Sequence, residues 1–362
     1  MKQIRSFLVL AFITLAFKVE AQNMAAYFDY KNYFFSFEDG ARTELEYLPV
    51  RSFVVGGNAV PYVDNSGNFK VFNNGNITTL SENAISTYTA TDYLVSYSSS
   101  YNKLNVFDNG KITLLTNFAG LYATGDSMVA FLDSRAYSFS IYYKGAITQL
   151  EFGNDPPIQN FDVGDNILAY TNYLNHFKLF YRGKTIKIAT VNRSLLYKAG
   201  KNIVAYCNDN YGFSIFHKWL TYDLEKFQPK TFGVGDDLAA YVTINQEFKV
   251  FYDGKTKLLS SFEPRFYKVE DSLVVYNDAE RFKVFYNGTV YTLENFIPTE
   301  YLIDLNTIAY LDQQGRLKTF HSGKTEMVTY SAVDKFELYR NVISYKVLNK
   351  NYIYYKSKTH PL

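Results

Sequence analysis

One phrase recurs along the 362-residue chain: an aromatic-rich strand that ends in a glycine turn. It reads FFSFEDG at 34–40, FKVFNNG at 69–75, LNVFDNG at 104–110, FSIYYKG at 139–145 and FKLFYRG at 177–183. It returns as FSIFHKW at 213–219, FKVFYDG at 248–254, FKVFYNG at 282–288, LKTFHSG at 317–323 and NYIYYKS at 351–357. The turn glycines Gly40, Gly75, Gly110, Gly145, Gly183, Gly254, Gly288 and Gly323 are spaced 35, 35, 35, 38, 71, 34 and 35 residues apart. The long gap spans the copy in which Trp219 replaces glycine. A fixed period of this size marks a chain built from stacked copies of one supersecondary unit.

Residues 265–299 show the unit most clearly. RFYKV, SLVVYN, FKVFY and TVYTLENF read as four strands, A to D, joined by tight turns. Asn74-Gly75, Asn109-Gly110, Asp253-Gly254 and Asn287-Gly288 lie between C and D. They supply the two positive φ angles of a type I′ hairpin. A second marker precedes strand B: Gly125-Asp126, Gly164-Asp165 and Gly235-Asp236, with Gly57-Asn58 as a variant. The 34 Tyr and 31 Phe favour strands. No run has helical periodicity, so helical solenoids of similar repeat length are excluded. Strands B and C are apolar on both faces, as sheets packed between neighbours must be.

The expectation is an all-β fold: a β-propeller of short four-stranded antiparallel blades, one ring of nine or ten. Two smaller propellers in tandem, dividing near residues 192–194, are the alternative. The first copy lacks a strand A and the last is read as lacking a strand D, so the chain ends would complete one another. In layout the chain resembles secreted bacterial propellers of the TolB type and WD-repeat propellers. It lacks the Gly-His and Trp-Asp dipeptides of WD repeats and the paired glycines of kelch repeats, so the resemblance carries over no functional residue.

Residues 1–21 read as a secretory signal. Lys2 and Arg5 precede an apolar run from Phe7 to Phe17, and Val19-Glu20-Ala21 offers small residues before a cleavage point. Eleven apolar residues fall short of the ~20 that span a bilayer. The repeat domain then runs over 22–362, and the protein is expected in the periplasm, at the cell surface or outside the cell. Residues 1–21 hold three basic residues and one acidic one, so the remainder balances at 34 of each sign. Such a chain has no global field to draw nucleic acid. One cysteine excludes an intrachain disulfide framework.

Chemistry-bearing motifs resolve into turn chemistry. Gly183-Lys184-Thr185, Gly254-Lys255-Thr256 and Gly323-Lys324-Thr325 resemble the tail of a phosphate loop. They lack the earlier glycine and the following helix, and they sit at C–D hairpins. Gly125-Asp126-Ser127 lacks the second glycine of a nucleophile elbow. Asp165, Asp236 and Asp271 recur at the position of Asp126 and read as turn formers. Asp64, Asp133, Asp209, Asp278 and Asp312 recur at the B–C turn with the same reading. His176, His217, His321 and His360 have no zinc-ligand spacing. Cys207 ends an apolar strand and reads as a buried thiol. No cofactor and no metal site is expected.

Variation concentrates at one end of the ring. The B–C loops and D–A connections share that end and hold the longer, irregular pieces, including the insertion 153–159. Tyr101, Tyr137, Tyr173 and Tyr211 fall in four consecutive B–C loops and are the candidate ligand-binding residues. The leading reading is a non-enzymatic binding scaffold for a protein or glycan. The alternatives are a hydrolase or lyase with acidic residues from several blades meeting near the axis, and a structural subunit of a surface assembly.

Overall fold

A computed structural model of the protein describes residues 23–362; the signal read in residues 1–21 lies outside them. The described chain is strands and turns without a helix. Its strands form ten antiparallel sheets taken in chain order, and these are the blades of one propeller. Blades 2 to 10 have four strands in the order A-B-C-D; blade 1 has three, Met24–Phe28, Phe34–Glu38 and Ala41–Glu46, which correspond to B, C and D. The missing strand A of the first copy is as expected. The last copy differs from expectation: Lys358–Pro361 forms its strand D. Lys356 and Ser357 make the preceding turn at φ 47° and 58° without glycine, so the turn escapes a glycine-based reading. Pro361 closes that outer strand where a missing N–H costs no ladder bond.

Blade 8 shows the unit. Tyr267–Glu270, Leu273–Asp278, Arg281–Tyr286 and Thr289–Glu294 pair as a meander, with Leu273 opposite Tyr286 and Tyr286 opposite Thr289. The C–D turns are type I′ as read: Asn287 and Gly288 have φ 46° and 79°, Asn109 and Gly110 45° and 85°. Strand B is buried along nearly its whole length, whereas no residue of strand D is fully buried, so D forms the rim.

The apolar core is divided among the blade junctions. Each of ten buried clusters joins two neighbouring blades. Ile167 and Leu179 of blade 5 pack with Val204 and Phe216 of blade 6 across residues 192–194, where a tandem arrangement would have divided. Ala25, Tyr27 and Phe37 of blade 1 pack with Val342, Ile353 and Tyr355 of blade 10 and close the ring. Aromatic pairs tie most junctions: Phe248 meets Tyr267 and Tyr276 at ring-centroid distances of 4.9 and 5.2 Å.

A second device recurs at the junctions. Strand D ends in Leu-Glu in several blades, and the register of D against C slips by one residue at that leucine. The bulge tucks the leucine inward and swings the glutamate onto the next blade. Glu151 accepts hydrogen bonds from Tyr170 (3.0 Å) and Lys178 (2.7 Å) of blade 5. Glu46 does the same with Tyr62 and Lys70, and Glu225 with Tyr241 and Lys249. In blades 2, 5 and 7 the Tyr of strand B and the Lys of strand C thus both serve the preceding blade's glutamate; in blade 8, where the preceding strand D ends without one, Lys283 turns to Asp278 of its own blade.

Candidate functional site

The two ends of the ring are chemically unlike. At the B–C/D–A end, the four tyrosines singled out from sequence all reach solvent, from blades 3 to 6. Tyr101 is 89 % exposed, Tyr137 46 %, Tyr173 41 % and Tyr211 58 %. No ring contact joins one to another, so they are separate posts along an arc. Tyr137 and Tyr211 stand at left-handed backbone positions, φ 49° and 64°, which turn them out of their loops. The Arg193 guanidinium lies 4.0 Å over the Tyr211 ring.

The D–A connections add residues that the sequence reading passed over. Phe118, Phe152 and Leu196 are exposed between those tyrosines. Arg135 covers the Phe118 ring at 4.9 Å. The arc therefore alternates Tyr from one loop set with Phe or Leu from the other. For Phe118 and Phe152 the signal lay in the apolar residue at or just past strand D, where an aromatic reads as part of the strand; Leu196 lies just before strand A of blade 6. Among the described residues, the exposed large apolar side chains in turns at the opposite end are Val54, Tyr93 and Trp219.

Asp64, Asp133 and Asp312 hold their own B–C loops, whereas Asp209 accepts from Asn192 of the D–A connection and Asp278 from Ser260 and Lys283. Asp133 Oδ1 accepts the backbone N–H groups of Arg135 and Ala136, and Asp312 Oδ1 accepts those of Gln314 and Arg316. Asp64 accepts from Asn68 and Lys70; burial opposes this, yet those bonds hold its carboxyl down at about 2.

At the other end, the A–B turns crowd around the axis. Their backbones bond from blade to blade: Ser127 N–H to Asp165 O (3.0 Å), Lys201 N–H to Gly235 O (3.1 Å) and Asp237 N–H to Lys201 O (3.0 Å). This explains the glycines of the Gly-Asp marker, because a Cβ at Gly125, Gly164, Gly200 or Gly235 would overlap the next blade's backbone. The residue after each glycine, or its equivalent, then faces the axis. Asp92, Asp126, Asp165, Asp236 and Asp271 gather there, with Asp304 beside them, and Lys201 and Arg340 stand among them. Arg340 of blade 10 pairs with Asp92 of blade 3, reaching past Gly57 of blade 2. Lys201 pairs with Asp236 at 3.2 Å.

Burial and mutual repulsion raise these carboxyls. Asp271 is pushed up to about 7 by burial, then by Asp236 and Asp304. Asp126, Asp165 and Asp236 are raised chiefly by burial. Four of these residues, Asp126, Asp165, Asp236 and Asp271, were read from sequence as turn formers, which they are; their convergence depends on ring closure. Lys201 and Arg340 went unnoticed because they replace the common aspartate in that slot. Among the described residues, no three metal-ligating side chains lie close enough to share an ion. Cys207 is buried, and burial pushes its thiol up to about 11.

Residues 18–360 match the family described as a 10-bladed beta propeller domain. No curated protein matches the sequence. Among solved structures, a computationally designed protein, Ika8, aligns with 76 % of this chain and 96 % of its own at 15 % identity and TM-score 0.37. Prp20p from Saccharomyces cerevisiae aligns with 55 % of this chain and 71 % of its own at 10 % identity and TM-score 0.34. PorZ of Porphyromonas gingivalis, a surface component of the type-IX secretion system, aligns with 92 % of this chain and 57 % of its own at 9 % identity and TM-score 0.31. No helix among the described residues is long and apolar enough to cross a membrane.

Proposed function

This chain belongs to the 10-bladed β-propeller domain family, and on that premise we propose that it is an exported, non-enzymatic binding scaffold. It engages a protein or carbohydrate through the B–C/D–A end. The observation that carries this reading is the exposed arc of Tyr101, Phe118, Tyr137, Phe152, Tyr173 and Tyr211. Rigid aromatic side chains give large contact area at small entropic cost, and Tyr adds a hydroxyl for orientation. An arc crossing four blades suits a protein surface or a long glycan better than a small molecule.

The test is a thermal-shift screen of the exported protein against glycans, peptidoglycan fragments, peptides and calcium, with pull-down for protein partners. A partner that binds the native state raises Tm by mass action. The Tyr137→Ala/Tyr173→Ala double variant should weaken that partner by about tenfold to a hundredfold, as loss of two aromatic anchors does. Undiminished binding by the double variant would remove this end of the ring from consideration.

The axial carboxyls support a second reading, a hydrolase or lyase, because a raised carboxyl beside an ionised one is the ordinary acid–base pair of such enzymes. Turnover of any polysaccharide in the same panel, lost in Asp165→Asn, would favour it.

A further inference from the structure

The junction of blades 9 and 10 breaks the pattern of its neighbours. At four other junctions the fifth residue of a C strand is tyrosine and meets the aromatic residue at the fourth position of the next blade. These pairs are Tyr143–Phe180, Tyr181–Phe216, Tyr252–Phe285 and Tyr286–Phe320, with centroids 5.5 to 6.1 Å apart. Blade 9 has His321 in the tyrosine position, and blade 10 has Tyr354 in the phenylalanine position. Strand B opens with an apolar residue in every other blade but with Thr307 in blade 9. Thr319 stands where most C strands carry Val, Ile or Leu, and Glu326 where blades 6 and 8 have Tyr222 and Tyr291.

These substitutions open onto one pocket of about 420 Å³, at the A–B/C–D end and away from the aromatic arc. Its volume is within the ordinary range for a small-molecule site. The polar groups are held in place by their neighbours. His321 Nδ1 is bonded to the Thr307 hydroxyl (2.9 Å), which donates to Asn341 Oδ1 (2.6 Å). Tyr354 and Ser357 each donate to Glu326 Oε2 at 2.7 Å. His321 Nε2 and Glu326 Oε1 are thus left for a ligand. Ile343 and the rings of Tyr354 and Tyr355 form an apolar wall, and Lys324 and Lys356 line the same pocket with no ion pair among the described residues. Burial lowers the His321 imidazole toward its neutral form, and the bonds from Tyr354 and Ser357 keep Glu326 ionised.

We propose that this pocket binds a small acidic sugar, its hydroxyls on His321 and Glu326, its C–H face on the tyrosines and its anionic group on Lys324 and Lys356. With the Thr307 hydroxyl donating to Asn341, His321 Nδ1 donates to Thr307, so His321 Nε2 and Glu326 Oε1 are both acceptors and each can take the O–H of one of two neighbouring sugar hydroxyls. Lys324, beside Glu326, and Lys356, held over the Tyr355 ring at 4.9 Å, supply the positive charge that a uronate or sugar phosphate needs.

The experiment is calorimetric and saturation-transfer NMR titration of the exported protein with glucuronate, galacturonate and glucose 6-phosphate. Glucose, galactose, acetate and inorganic phosphate are the controls. At least one acidic sugar should bind saturably and about tenfold or more tighter than its neutral counterpart and than acetate or phosphate alone. Lys324→Ala/Lys356→Ala should erase that preference with the far-UV spectrum unchanged. Thr307→Leu/Thr319→Val restores the apolar pattern of the other blades; it should raise Tm and abolish binding. The proposal is overturned if no acidic sugar binds saturably, if a neutral sugar or bare anion binds as well, or if the Thr307→Leu/Thr319→Val protein still binds.

Discussion

Glycine does two different jobs in this chain, and substitution separates them. Gly110 ends a C–D turn at φ 85° with open space where a Cβ would go. Gly110→Ala should cost about 1 kcal/mol, the price of forcing alanine into a left-handed conformation. Gly164 has no such φ; its constraint is the Gly200 carbonyl of the next blade, which a Cβ would overlap. Backbone there cannot yield without breaking the hydrogen-bonded chain of A–B turns. Gly164→Ala should therefore cost at least about 3 kcal/mol, in the range of severe core disruptions. Chemical denaturation of both variants checks the contrast; equal losses would mean that the axial turns are not in close contact. Trp219 shows what happens when the turn glycine is absent: it takes φ 75° itself and rests on Tyr181 at 5.0 Å, with Lys184 over its ring.

Among the elements, strand D is where reading and structure part. Turns, strand order and the buried B and C strands follow from Asn-Gly pairs and apolar runs, because those are local properties of the chain. The Leu-Glu bulge is not local: its glutamate belongs energetically to the next blade. Only the finished junction shows why Glu151, Tyr170 and Lys178 recur together. Tyr170 is fully buried, so its hydroxyl depends on that carboxylate. Glu151→Ala would leave the hydroxyl without its acceptor and Lys178 without its counter-charge, at a cost of about 2–3 kcal/mol. Glu151→Gln keeps an acceptor and should cost about 1 kcal/mol. A double-mutant cycle with Lys178→Met should give a coupling of about 1 kcal/mol; a coupling near zero would show that the lysine merely covers the junction.

On the scale of the whole ring, ten copies of an unremarkable turn become a charged centre. The aromatic arc was half legible, since B–C loops display their tyrosines wherever the blades stand. The axial cluster was legible only as recurring turn aspartates and as a general alternative of acids meeting near the axis; which residues meet was not, because Asp92 and Asp271 are neighbours only once ten blades close. Closure gives the ring a pH dependence opposite in sign to that of its outer turns. Asp64, held down at about 2, contributes stability above the unfolded carboxyl range near 4, and this is lost as pH falls through about 2. Asp271, pushed up to about 7, keeps its proton in the fold while the unfolded chain has lost it. Between about pH 4 and 7 the native state binds the extra proton, so stability declines as pH rises through that window and levels off above it. Asp271→Asn removes the titration, and asparagine accepts the φ of 45° at that position. The variant should match the parent near pH 4 and exceed it by about 1–2 kcal/mol at pH 8, a value reduced from the full linkage energy because Asp271 is only partly buried. Tm measured from pH 4 to 8 decides it. A constant offset would mean that Asp271 titrates normally and that its carboxyl is not crowded by those of the facing blades.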